Sequence, residues 1–200
     1  MRLGIADHFG LAVAVTVSAA YEVVDRRRIE LVEAGITQAP IHYRSTRLGV
    51  EATAALVAEV RASVVRATSA ALDELAGALP RPVVSISLRR WPLDFPQDVA
   101  VQRQAPYEAR ADAIMYRQEL AEAAHARGWE LHVYDAKAVL GQASAMLGAR
   151  AEDVLQGPRA TLGPPWTKDH RMALAATIMA GESPPAGLPV RPRAARRSRA

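Results

Sequence analysis

In the first 33 residues the apolar positions recur every second residue, and after residue 50 they recur every third or fourth. Residues 11–18 read Leu-Ala-Val-Ala-Val-Thr-Val-Ser, with Val13, Val15 and Val17 alternating against smaller residues, which is the period of a β-strand. Residues 3–6 are a short apolar run ending at Asp7, and His8-Phe9-Gly10 supplies a turn, so the two segments form a hairpin. Residues 21–25 and 28–33 keep the alternation, with a turn expected near 25–27, and complete an antiparallel meander of three strands by about residue 34. From 50 to 79 the pattern is that of a long amphipathic helix. Leu56, Val60, Val64, Ala71, Leu72, Leu75 and Leu79 share one face, opposite Glu59, Arg61, Arg66 and Asp73, until Pro80 and Pro82 stop it. Residues 83–88 form a β-branched strand. A helix over 106–127 follows through Ala113, Ile114, Leu120 and Ala124, with Gly128 as its C-cap, then a strand over 130–134 and helices over 135–147 and 167–180. Strands that alternate with helices after an antiparallel opening predict an α/β protein with a mixed five-stranded sheet and helices on both faces.

Composition narrows this. At 200 residues and 50% hydrophobic, the chain has the size of one domain, assigned to residues 1–180. There is no cysteine, which removes disulfides and thiolate metal sites and points to a reducing compartment. No segment reaches the roughly 18 apolar residues of a membrane span, and Met1-Arg2-Leu3-Gly4-Ile5 runs at once into Ala6-Asp7. A cytoplasmic protein with no membrane partner is expected. The net charge of +4 resides in residues 181–200, where Arg191, Arg193, Arg196, Arg197 and Arg199 face only Glu182. A Pro-rich stretch before these arginines has no apolar period, so this tail reads as disordered. It suits either salt-dependent attraction to DNA or RNA or a merely solvated terminus. No glycine-rich phosphate loop of the strand-loop-helix kind is present, which argues against a nucleotide-binding ATPase.

The candidate chemistry lies at the two ends of the chain. Asp7 closes the first strand, and Asp169 and His170 open the last helix. Each has a bland alternative: Asp169 follows Thr167 and suits the helix dipole, and Asp7 suits the start of a turn. His42, Tyr43 and Arg44 form a polar, aromatic and basic cluster fit to touch a phosphate or a base, or to begin an extended linker after Pro40. Trp91 and Trp166, each beside proline, read as hydrophobic anchors. Asp112, Tyr116, Arg117 and Glu119 read as surface ion-pair chemistry on one helix.

The order of elements, with an acid on strand one and another opening the final helix, resembles the ribonuclease H-like superfamily. The layout is most similar to the Holliday-junction resolvases. The runs that carry the resemblance are Leu3-Gly4-Ile5-Ala6-Asp7, residues 127–139 from Arg127-Gly128-Trp129 to Lys137-Ala138-Val139, and Lys168-Asp169-His170-Arg171-Met172-Ala173-Leu174-Ala175. The resemblance implies a homodimer and a divalent-metal nuclease with four acids. This chain departs from that pattern. Ala6 rather than Asp7 holds the first acidic position, strand four ends in Leu88-Arg89-Arg90, and Met172 stands where the second helical acid would be. Asp7 and Asp169 remain as the catalytic candidates. A single Mg²⁺ or Mn²⁺ held by Asp7, Asp135, Asp169 and His170 is the corresponding metal site. Three readings follow: a resolvase-related nucleic-acid-binding module with reduced or absent hydrolysis, an active metal-dependent endonuclease, or an interaction protein with no nucleic-acid role.

Overall fold

A computed structural model describes residues 1–44 and 46–181. The arginines at 191, 193, 196, 197 and 199 therefore lie outside the described residues. Five strands form one mixed sheet in the order β3-β2-β1-β4-β5. β1 (Arg2–Asp7), β2 (Leu11–Val17) and β3 (Val23–Glu30) make the antiparallel meander, and β4 (Ser85–Arg89) and β5 (Glu130–Tyr134) join β1 in parallel. This is the mixed five-stranded sheet expected from the sequence. The helices are α1 (Pro40–Arg44), α2 (Val50–Gly77), α3 (Val99–Gln102), α4 (Glu108–His125), α5 (Val139–Leu147), α6 (Ala151–Gln156), α7 (Pro158–Leu162) and α8 (Lys168–Ala180). No helix among the described residues is long and apolar enough to cross a membrane.

The pleat sorts the strands onto two cores. Leu3, Ile5, Ala12, Ala14, Ile86 and Leu88 pack with Val60, Val64, Leu72 and Leu75 of α2 and with Met115, Tyr116 and Leu120 of α4. Ala6, Val15, Val17 and Tyr134 pack on the opposite face with Val139 and Ala143 of α5 and the apolar residues of α8.

α8 lies closest to the sheet. A Cβ on Gly4 would stand 2.0 Å from the Ala173 carbonyl oxygen, so only glycine on β1 lets the helix backbone lie this near. Ser87 on the neighbouring strand donates to the Ala176 carbonyl at 3.2 Å.

Four details differ from the sequence expectations. No turn breaks residues 25–27, because β3 is an edge strand whose charged side chains have somewhere to go. Arg27 pairs with Asp25 at 2.8 Å, and Arg26 reaches the loop before α8. The stretch after Pro40 is a short helix rather than an extended linker. The helix expected from Asp135 begins at Val139, because Asp135 accepts from the Lys137 amide at 2.8 Å and makes a turn first. Finally, the polar residues of α4 are not surface chemistry: Asp112 and Tyr116 are 1% and 0% exposed.

Gly4→Ala is expected to lower stability by about 1–3 kcal/mol, since overpacking backbone against backbone cannot be relieved by a side-chain rotation. A urea denaturation midpoint unchanged from wild type would contradict this account of the α8 seat.

Candidate functional site at the strand ends

The carboxyl ends of β1 and β4 and the amino end of α8 meet at one place. Their polar and charged side chains form a connected series. Asp7 carries the parity of Leu3 and Ile5, so its carboxylate belongs to the α4 face of the sheet. There it is 2% exposed and accepts from Arg117 Nε at 2.8 Å. Arg89 carries the parity of Ser87, on the α8 face. Its Nε lies 3.7 Å from Asp7 Oδ1, and a terminal guanidinium nitrogen lies 3.4 Å from Asp169 Oδ1. Asp169 Oδ2 in turn meets His8 Nε2 at 3.0 Å. The two candidate acids are therefore brought together, with a guanidinium between them.

Burial opposes the charge on Arg89, but Asp7, Tyr134 and Asp169 outweigh it and hold the group more firmly protonated than a free arginine. The Tyr134 phenol stands beside it and donates to the Ile5 carbonyl at 2.7 Å. Burial pushes that phenol up to about 12, against the pull of Arg89. It is thus a neutral hydrogen-bond donor at neutral pH.

The other two expected ligands are engaged elsewhere. Asp135 is exposed and spends Oδ1 on the Lys137 amide. His170 completes the cap of α8. Its Nδ1 accepts from the Thr167 amide at 3.2 Å and lies 2.9 Å from the Thr167 hydroxyl, and its ring packs on Trp166 at 5.4 Å. A Gln or Glu at this third helical position makes the same reciprocal contact, which is why the histidine serves here. Trp166 is buried and donates to the Leu155 carbonyl at 2.8 Å, as an anchor should.

These groups do not fit a divalent metal as they stand. Asp7 Oδ1 and Arg89 Nε are both shut off from solvent, and neither has a hydrogen-bond partner, so the facing pair fills the position a cation between the acids would take. Among the described residues no three of His, Cys, Asp and Glu are grouped to hold a metal ion. A hard cation asks for several oxygen ligands and tolerates no fixed positive charge among them.

Sequence reasoning missed Arg89 and Arg117. The signal was present: Arg117 falls three residues after Ile114 and three before Leu120, on the inward stripe of α4, and Arg89 ends a strand whose preceding residues are all buried. A cation on an inward stripe needs an anion to meet it.

The start of α8 is fixed from outside as well. Arg26 donates to the carbonyls of Leu162 at 2.7 Å and Gly163 at 2.9 Å, and also to Pro165, so one guanidinium gathers the loop that leads into Thr167.

No family model matches this chain, and no curated relative matches it. Among solved structures, "T. thermophilus RuvC in complex with Holliday junction substrate" is 13% identical with a TM-score of 0.48, over 88% of this chain and 89% of that one. "Thermus thermophilus RuvC structure" is 14% identical with a TM-score of 0.44, over 88% and 90%.

Two outcomes test this geometry. Arg117→Ala removes the hydrogen-bonded partner of a buried carboxylate and is expected to cost about 3 kcal/mol, read by chemical denaturation; a loss under about 1 kcal/mol would mean that Arg89 alone suffices. The second concerns pH. Burial, with Arg26 nearby, pulls the His170 imidazole below its ordinary 6.5, and its Nδ1 must stay unprotonated to accept. The unfolded chain therefore binds the proton first. His170 stabilises fully above about pH 6.5 and loses that contribution as pH falls toward its folded value. His170→Gln keeps the cap without titrating. Its denaturation midpoint should fall less than that of wild type between about pH 7.5 and 5.5.

Proposed function

We propose that this chain is a nucleic-acid-associated ribonuclease H-like module in which metal-dependent phosphodiester hydrolysis is reduced or absent. The observation that carries the reading is the Arg89 guanidinium between Asp7 and Asp169. Hydrolysis by metal ions draws on cations that polarise the phosphate and turn water into a nucleophile at neutral pH, usually two of them about 3.5–4 Å apart. A guanidinium offers positive charge and donors to a phosphate, but it coordinates no water and generates no hydroxide. An arrangement that keeps the acids and neutralises them internally is suited to holding the strand ends in shape. Attraction to a polyanion is left to basic groups elsewhere, including the arginines at 191–199. The layout of the sheet supports nucleic acid as the partner class by analogy of fold.

The experiment pairs binding with cleavage. The full-length protein is titrated against linear and branched duplexes over a salt series, and the same substrates are incubated with Mg²⁺ or Mn²⁺. Binding is expected to weaken steeply with salt. Removing residues 182–200 should flatten the log–log slope by up to about 4.5, about 0.9 for each of five arginine contacts. Cleavage is expected to stay at the level of a metal-free control. Metal-dependent cleavage abolished by both Asp7→Ala and Asp169→Ala would establish the active endonuclease instead, and absence of binding to any nucleic acid would leave an interaction protein.

A further inference from the structure

A line of aromatic rings leads away from the strand ends toward solvent. Phe9 lies in the turn between β1 and β2, next to His8, whose ring meets Asp169. Its centroid is 6.0 Å from that of His42, with the planes inclined at 39°. His42 in turn meets Tyr43 edge-on, at 5.0 Å and 68°. The line ends on Tyr43, which is 58% exposed.

The backbone that carries these rings is held from below. Buried Asp112 of α4 accepts from the Ile41 amide at 3.2 Å and the His42 amide at 2.8 Å. Ile41 itself packs beneath with Phe95 and Ile114. The platform is thus set in place before anything lands on it, which reduces the ordering cost of binding.

Charge accompanies the rings. Arg44 follows Tyr43 directly and Arg47 stands four residues after it; both are exposed, and neither has an ion-pair partner among the described residues. They line a groove of about 380 Å³ with Ile36, Leu48 and Leu56, whose acid is Glu59.

We propose that Tyr43 and His42, flanked by Arg44 and Arg47, form a stacking platform for unpaired nucleotides of a nucleic-acid strand. The inference rests on the nucleic-acid reading above and adds to it the class of strand. An exposed ring offers every base a π-face regardless of its identity, while arginines beside it meet the phosphates that connect those bases. Bases inside a duplex are already stacked on one another and present no face to a side chain, so the platform selects strands that are unpaired, as at an end, a gap or a junction.

The test uses the full chain in anisotropy titrations with a labelled oligothymidylate and with a duplex of equal length, at one salt concentration. Tyr43→Ala is expected to weaken single-strand binding about 5- to 150-fold, the range of one lost stacking contact. Duplex binding should change less than about twofold. Tyr43→Trp, which restores an aromatic face, should recover the single-strand affinity. Arg44→Gln with Arg47→Gln should weaken both and flatten the single-strand salt slope by about 1.4, two phosphate contacts at 0.7 each. Single-strand affinity unchanged in Tyr43→Ala overturns the platform while the nucleic-acid reading stands. So does an equal loss for both substrates, which would indicate a disturbed fold. A wild-type protein that binds neither substrate overturns the broader reading and this inference with it.

Discussion

The close seat of α8 on β1 is the constraint on which the rest of this structure depends. Where other residues would carry a side chain, Gly4 leaves room for the Ala173 carbonyl, and the helix backbone descends onto the sheet. That approach sets the height of the whole helix, because a helix moves as a rigid rod. It brings Asp169, in the first turn of the helix, down to the level at which β1 and β4 end. Arg26 from the far edge of the sheet and the Thr167–His170 cap fix the same helix start from outside. Position along the rod and height above the sheet are thus set by different residues.

At the point where these elements meet, charges alternate: Arg117, Asp7, Arg89 and Asp169, whose other oxygen meets the His8 ring. Alternation is what makes the arrangement tolerable. Taking a carboxylate out of water costs several kcal/mol, and only a partner close enough to offset the lost hydration makes it stable. Asp7 is the most deeply buried member and has cations on both oxygens. A divalent ion would have to displace Arg89 and would leave that guanidinium half-buried beside it, adding repulsion to the desolvation already incurred. Within this network each acid meets the Arg89 guanidinium.

One helix connects this network to the aromatic platform. Along α4, Asp112 turns toward the amides of α1, Tyr116 donates to the Gln38 carbonyl at 2.7 Å just before α1, and Arg117 reaches Asp7. Burial drives the Asp112 carboxyl upward in pKa, and the two amides that bond to it pull the other way. The three polar residues occupy little more than one turn. The rings of α1 and the carboxylate of β1 are therefore positioned by a single rigid element, and a shift of α4 would be felt at both.

The alternation of residues 11–18, the three- and four-residue spacing along α2 and the proline stops are local patterns, and they predicted five strands and the principal helices without any knowledge of neighbours. The acids at 7 and 169 were also legible as candidates, since each stands at the end of a periodic run. What their carboxylates meet was not. Periodicity reports which side of an element faces inward, and it is silent about which element lies opposite. That is why Asp112, Tyr116 and Arg117 read as surface residues and Pro40 as the start of a linker. The sequence by itself determined the elements and the face each one buries, because backbone geometry and the cost of exposing apolar surface act locally. Only the tertiary structure decided that Arg89 comes between the two acids, because the distance between charges depends on packing contacts made by residues far apart in the chain.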